Sequence, residues 1–405
     1  MLSNLMQSRF TSPDFRERNT LECLWIDGSF NPSWVNEERS KRKIILSTTS
    51  HGQDVSNGNH KESFAFVSLL KVCAKKKDLC AGTRIHGEII KKGLLQKSPY
   101  LATALITMYA KCGMLEKAQG VLNELLVRDR VSWNILISAY TQKEHYHQAL
   151  DCFHRMQSEA VSPDTITFTC VLKACGNNES IKKGKQIQSM IVTSFLLEKD
   201  SLLGNALMDM YIKSGFLGKA QEVLESLPLR DVISWGALIG GYANHGKSEK
   251  ALQCFEDMQS EGIYPNEVTF TCALKACVDE RDLGKGIEMH AQIEKQGFSE
   301  THLIIGNALL NMYAKLDLLC EAQKVFDKLP NHDVITWTTL LSAYVAHGHG
   351  EEALKCFEEM RHQNILPNAI TYIWIMKACA SIGSIEEIQK IHADIERHGL
   401  GNDNL

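Results

Sequence analysis

The stretch Val232-Ile233-Ser234-Trp235-Gly236-Ala237-Leu238-Ile239-Gly240-Gly241-Tyr242 decides the fold. Trp235, Leu238, Ile239 and Tyr242 fall at i, i+3, i+4 and i+7, which makes one apolar stripe on a helix. Ala243-Asn244-His245-Gly246 breaks that helix, with Gly246 placed for a C-terminal cap. Ala251, Leu252, Phe255 and Met258 form the stripe of a second helix, which Ser260-Glu261-Gly262 and Pro265 end. A single hairpin cannot bury both stripes. Stacked neighbours can, and such stacking defines a solenoid.

Working outward, the pattern repeats. Trp133, Trp235 and Trp337 are 102 residues apart, as are Tyr109, Tyr211 and Tyr313, and Asp129, Asp231 and Asp333. Lys71, Lys173, Lys275 and Lys377 extend the spacing to four copies, followed by Cys73, Cys175, Cys277 and Cys379. A block this long must subdivide, and it does so into units of 35, 31 and 36 residues, exemplified by 232–266, 201–231 and 165–200. Ten units result: 63–98, 99–129, 130–164, 165–200, 201–231, 232–266, 267–302, 303–333, 334–368 and 369–403. The expected fold class is all-α: a right-handed α-solenoid superhelix of about ten helix-turn-helix repeats, with almost no strand.

Composition narrows the function classes. The chain has 405 residues, 44% of them hydrophobic and 8 of them proline, too apolar for disorder and too poor in proline for a linker. No apolar run reaches the roughly 18 residues of a membrane span. Lys and Arg number 44 against 48 Asp and Glu, a formal net charge of -4. Bulk charge therefore gives no argument for nucleic acid, and any such binding must come from local placement. Thirteen scattered cysteines read as a reducing compartment rather than a disulfide scaffold.

Residues 1–62 carry no sustained helical period. Met1 to Phe10 holds one Arg and no acid, in the manner of an organelle transit peptide, although Asp14, Glu17 and Glu22 interrupt the acid-poor pattern. Glu37-Glu38-Arg39-Ser40-Lys41-Arg42-Lys43 reads as a solvated segment. The tail is expected to be either an organelle address, mitochondrion ahead of chloroplast, or an untargeted extension.

Residues 63–403 resemble the pentatricopeptide-repeat family of plant organelle RNA-binding proteins. The resemblance is to the subclass with alternating long, short and standard motifs. Trp133-Asn134-Ile135-Leu136-Ile137 with Ala149-Leu150, Phe153, Met156 and Pro163-Asp164 looks like the standard motif. Leu172-Lys173-Ala174-Cys175 with Gly184-Lys185 looks like the long one, and Asn307-Ala308-Leu309 with Met312-Tyr313 like the short one.

The resemblance implies that each standard or short unit reads one RNA base through its fifth and last residues. The pairs are Thr103/Asp129, Asn134/Asp164, Asn205/Asp231, Gly236/Asn266, Asn307/Asp333 and Thr338/Asn368. Asn offers donor and acceptor, Thr a hydroxyl, Asp acceptors only, a set able to distinguish exposed base edges. Flanking apolar side chains would stack on the bases. In the family, Asn with Asp favours U, Thr with Asp favours G, and Thr with Asn favours A. From residue 99 onward this gives G-U-n-U-n-n-U-A, where n marks the long units and the unit of Gly236, which lacks a side chain. The alternative is that Asn near a helix start caps or bonds locally. The fifth residues of the long units, Val67, Thr169, Thr271 and Ile373, stay unassigned. Lys71, Lys173, Lys275 and Lys377 are candidates for phosphate contacts, against the alternative of a solvated helix face.

Other chemistry is not expected. Many relatives end in a zinc deaminase that converts C to U, which needs His-x-Glu and Cys-x-x-Cys. His86-Gly87-Glu88 supplies the first by spelling alone, and no Cys-x-x-Cys occurs. Cys170/Cys175 and Cys272/Cys277 read as small core residues, and His347-Gly348-His349 as a turn. Gly241 to Ser248 spells a phosphate loop, but no strand precedes it, so it reads as a helix–helix turn. No Gly-x-Ser-x-Gly occurs.

The expected function is a non-enzymatic adaptor for single-stranded organelle RNA, without cofactor or metal. It would direct processing, above all C-to-U editing by an enzyme supplied in trans. The last unit would seat that partner through an exposed strip of Ile388, Ile391 and Ile395. The alternatives are a protein-binding scaffold and a truncated relative of an editing deaminase.

Overall fold

The computed structural model describes residues 56–177, 181–194, 201–298 and 302–397. Most of the 1–62 tail, with its targeting reading, lies outside the described residues. Contacts divide the chain into two units, Met1–Ala65 and Phe66–Leu405, and the stacked hairpins belong to the second.

All regular structure among the described residues is helical, in twenty helices. They run as α1 (Ser56–Lys76), α2 (Leu79–Lys91), α3 (Pro99–Lys111), α4 (Leu115–Glu124), α5 (Arg130–Gln142), α6 (Tyr146–Ser158) and α7 (Thr165–Asn177). Next come α8 (Ile181–Thr193), α9 (Ser201–Lys213), α10 (Leu217–Ser226), α11 (Val232–Asn244), α12 (Ser248–Ser260), α13 (Glu267–Glu280) and α14 (Leu283–Lys295). The last are α15 (Leu303–Lys315), α16 (Leu319–Lys328), α17 (Val334–Ala346), α18 (Gly350–His362), α19 (Ala369–Ile382) and α20 (Ile385–Arg397). The first helix begins at Ser56, ahead of the residue-63 start that the repeat register suggests.

Odd-numbered helices from α3 to α19 pack on one another in succession. Each even-numbered helix from α4 to α18 packs on its own hairpin partner and, apart from α14, closely on the next odd helix; α14 reaches α15 through the His290–Tyr313 bond. Odd helices thus form one continuous layer, each in contact with the next.

The three tryptophans occupy equivalent buried places, at 0%, 6% and 3% exposure for Trp133, Trp235 and Trp337. Gly246 follows α11 at φ +66, and the Lys247 amide donates to the Tyr242 carbonyl at 3.0 Å, closing the helix end as a left-handed residue does. Gly241 lies inside α11, so the phosphate-loop spelling joins two helices.

The structure also explains the long-motif glycine. A Cβ at Gly184 would stand 2.7 Å from Met210 Sδ, and one at Gly286 would stand 2.9 Å from Met312 Sδ. The missing side chain admits a methionine from the first helix of the next hairpin. Of the repeated cysteines, Cys175 and Cys277 are fully buried core residues, and burial pushes their thiols up to about 11 and about 12, while Cys170 and Cys272 are half-buried and pack against the core's edge.

The C-terminal hairpin departs from the expected exposed strip. Ile391 is 4% exposed, inside a cluster with Leu341, Phe357, Tyr372 and Ile375, and Ile388 and Ile395 pack against the same cluster. Their stripe faces α18 and α19 as the equivalent Met289 faces its own neighbours. Hydrophobic spacing defines a stripe but not which neighbour covers it. The apolar residues left exposed here are Ile370, Ile373, Ile382 and Ile385.

A second ladder ties hairpins together. Tyr140, Tyr242 and Tyr344 donate to Gln119, Gln221 and Gln323. At two long–short junctions histidine replaces glutamine: His86 and His290 bond Tyr109 and Tyr313 at 2.9 and 2.7 Å. Burial holds the His290 imidazole below its ordinary range, against the opposing pull of Glu294. The folded protein therefore binds fewer protons here than the unfolded chain, and stability falls as pH drops below about 6.5. Gln188 makes the equivalent bond to Tyr211. His290→Gln is accordingly expected to keep the fold and reduce the acid sensitivity, read as urea midpoints at about pH 7.5 and about 5.5.

Candidate RNA interface

Six loop residues end the units and begin the next first helix. Each is a helix N-cap. Asp129, Asp164, Asp231, Asn266, Asp333 and Asn368 accept the amide of the third residue of α5, α7, α11, α13, α17 and α19, at 2.8–3.0 Å. Capping alone accounts for Asp or Asn at these positions. The fifth residues do not cap their own helices.

Instead, the fifth residue of one hairpin meets the cap of the next. Asn134 Nδ2 donates to both carboxylate oxygens of Asp164, at 2.9 and 3.1 Å. Asn307 Nδ2 donates to Asp333 at 3.4 Å. Burial pushes the Asp333 carboxyl up, but hydrogen bonds from the Thr336 amide and hydroxyl and from Asn307 outweigh it and hold it below its usual value. Thr338 reaches Asn368 through Thr371: the two hydroxyls are 2.8 Å apart, and Thr371 donates to Asn368 Oδ1 at 3.0 Å.

The remaining pairs make no direct bond. Thr103 donates back to the Pro99 carbonyl and Asp129 binds Ser132. Among the described residues Asn205 Oδ1 is buried without a partner, while Asp231 is occupied by Ser234. Gly236 offers only space, and a Cβ there would lie 3.1 Å from Thr269 Cγ2.

Sequence reasoning did not name the residues that flank this row. Leu202, Ile233, Ile304 and Ile335 stand one turn before Asn205, Gly236, Asn307 and Thr338, and they are 43%, 54%, 62% and 57% exposed. Positions i and i+3 share a helix face. The signal was present: Ile233 and Ile335 fall off the core stripes of Trp235 and Trp337. An exposed row of branched apolar residues beside mostly half-buried polar pairs gives a surface able to stack planar rings and hydrogen-bond their edges.

The lysines lie on the same helices, one turn beyond the fifth residues of the long units. Lys71, Lys275 and Lys377 are exposed and Lys173 is half-buried. Lys275 donates to Asn244 at 2.8 Å, and Lys377 sits 4.4 Å over the Trp374 ring. His86 of the His-x-Glu spelling faces Tyr109 from within α2. His347 and His349 diverge, one onto the Ala343 carbonyl and the other toward Glu352.

Family models describe the same periodicity. The PPR repeat family model matches residues 128–177, 230–279 and 332–381, and the PPR repeat model matches 101–129 and 205–232. The chain belongs to the pentatricopeptide-repeat family. One mitochondrial pentatricopeptide repeat-containing protein of Arabidopsis thaliana is 37% identical over 84% of this chain and 33% of its own length. A second Arabidopsis member is 33% identical over 94% of this chain and 68% of its own length, and a chloroplastic one is 30% identical over 99% of this chain and 63% of its own. The chain thus spans about a third to two thirds of these relatives. Among solved structures, pentatricopeptide repeat protein PPR10 in complex with an 18-nt psaJ RNA element matches with a TM-score of 0.67. That match has 19% identity and covers 91% of this chain and 54% of the other, a likeness of fold.

Proposed function

We propose that this pentatricopeptide-repeat protein binds single-stranded organelle RNA along its odd-numbered helices, one base per standard or short unit, with the ten units 63–98 to 369–403 bounded as the sequence period sets them. The observation that carries the reading is the recurrence of Asn134/Asp164 and Asn307/Asp333 as bonded pairs across successive hairpins, on a face lined by exposed Ile233, Ile304 and Ile335. Bases stack against the apolar row, and the fifth and last residues meet their edges. Lys71, Lys173, Lys275 and Lys377 meet phosphates, which reconciles the binding with a net charge of -4. Relatives named mitochondrial and chloroplastic support an organelle setting.

The chain acts as an adaptor rather than an enzyme. It directs C-to-U editing by a deaminase supplied in trans and seated on the last hairpin. Ile385→Asp alters an exposed residue there, and it is expected to cut partner capture and editing without changing RNA affinity. Crosslinking the purified chain to organelle RNA and sequencing the bound fragments tests the whole reading. Enrichment of G-U-n-U-n-n-U-A is the expected result. Capture of a protein or peptide with no RNA enrichment would overturn it.

A further inference from the structure

In the six first helices that an Asp or Asn caps, α5, α7, α11, α13, α17 and α19, the third residue is a buried serine or threonine, and it takes one of two settings. Thr167 and Thr336, both 0% exposed, place Oγ1 2.6 and 2.7 Å from Oδ1 of Asn134 and Asn307 in the preceding hairpin, and share the same hydroxyl with their own caps, Asp164 and Asp333, at 2.9 and 2.8 Å. Thr371 turns the same way, to Thr338. Ser234, 1% exposed, turns back instead: its hydroxyl donates to the Asp231 carbonyl at 2.8 Å and accepts the Asp231 amide at 2.9 Å. Ser132 likewise binds only its own cap, Asp129. Both serines leave the fifth residue alone, and three of the four threonines engage it.

The fourth threonine shows why. Thr269 faces Gly236 and turns its hydroxyl back to the Asn266 carbonyl at 2.8 Å, which aims Cγ2 at the glycine. In that setting a threonine opposite asparagine would press a methyl group on a polar amide, so threonine turns its hydroxyl inward. Serine has no methyl group and meets no such penalty.

The consequence lies in the orientation of the asparagine amide. Asn134 Oδ1 carries no proton, so it accepts from Thr167, while Nδ2 donates to Asp164. Turning the amide over would break both bonds. One N–H of Nδ2 remains for a base, always in the same place. Asn307 is held between the same two kinds of partner, Thr336 at 2.7 Å and, by a longer bond of 3.4 Å to one oxygen, Asp333. Asn205 is not: among the described residues its Oδ1 has no partner, so nothing opposes reversal of donor and acceptor.

We propose that the third residue of the following first helix is a positioning residue for base selection: threonine there locks the reading asparagine and serine releases it. This rests on the base-reading role proposed above. It makes the Asn134 and Asn307 units sharper readers than the Asn205 unit, although all three carry the same Asn/Asp pair.

The test uses the full chain and an RNA panel varied only at the base facing Asn134 or the base facing Asn205. Thr167→Ser keeps the capping hydroxyl, as Ser132 and Ser234 do, so the helix start survives, which circular dichroism verifies. It is expected to lower the preference for U over the other bases at the Asn134 position by about three- to tenfold, the ratio that one buried hydrogen bond supports. Ser234→Thr is expected to raise the preference at the Asn205 position by a similar factor, with each change confined to its own position. Asn134→Ala separates the two ideas. If it abolishes the preference while Thr167→Ser and Ser234→Thr leave theirs unchanged, base reading stands and the positioning role is overturned. If Asn134→Ala changes nothing, the base-reading proposal falls as well.

Discussion

Phe255→Ala is expected to lower the unfolding free energy by about 3–5 kcal/mol, the range of large buried aromatic deletions. Phe255 is 2% exposed on α12, and its ring lies 5.8 Å from Phe270 on α13, so it joins one hairpin to the next. Phe270 in turn meets Phe298 at 6.2 Å. Phe153 with Phe168 and Phe357 with Tyr372 repeat the contact one period earlier and later. Removing the ring leaves a cavity at an interface that α11, α12 and α13 share, and an array holds together only through such nearest-neighbour interfaces. The measurement is a urea titration followed by circular dichroism. Leu126→Ala, at a residue 83% exposed, serves as the control and is expected to stay within about 0.5 kcal/mol. Equal effects from the two substitutions would mean that Phe255 does not hold the interface.

This interface is legible in the sequence. Spacings of three and four placed Phe255 on a stripe, and the 102-residue period placed Phe153 and Phe357 with it. The tryptophans were legible for the same reason. The direction of the last stripe was not. Ile388, Ile391 and Ile395 have helical spacing whether α20 faces inward or outward, and only packing against Phe357 and Tyr372 settles it. The polar row was half legible. The types and spacing of the Asn/Asp pairs are visible in the sequence, as is the capping alternative. The structure shows capping to be real, but carried by the last residue rather than the fifth. The hydroxyl of Thr167 was not legible as part of the row. Its contact with Asn134 spans 33 residues and depends on a side-chain rotamer. Local patterning does not encode either.

Asn134→Thr is expected to shift the base preferred at that unit from U toward G, by on the order of 1–3 kcal/mol of discrimination, the worth of a good base-edge pair. The variant pair is Thr/Asp, the combination already present at Thr103/Asp129. The array also contains a template for its packing: Thr338 opposite Thr371, hydroxyls 2.8 Å apart, in a helix that also accepts the Thr338 hydroxyl at the Val334 carbonyl. A threonine introduced opposite Thr167 reproduces that arrangement, so the hairpin is expected to fold and the buried Thr167 hydroxyl to keep a partner. Asp164 loses the Asn134 amide but retains the Thr167 amide and hydroxyl, so its cap survives. What changes is the group offered to the base: a hydroxyl able to donate or accept replaces an amide fixed as a donor. Lys173→Ala, by contrast, is expected to weaken all sequences alike and to flatten the salt dependence, because a phosphate contact carries no sequence information. Binding to four RNAs that differ only at the base facing residue 134 gives the answer. A parallel loss for all four bases would assign Asn134 to holding the cap and not to reading the base.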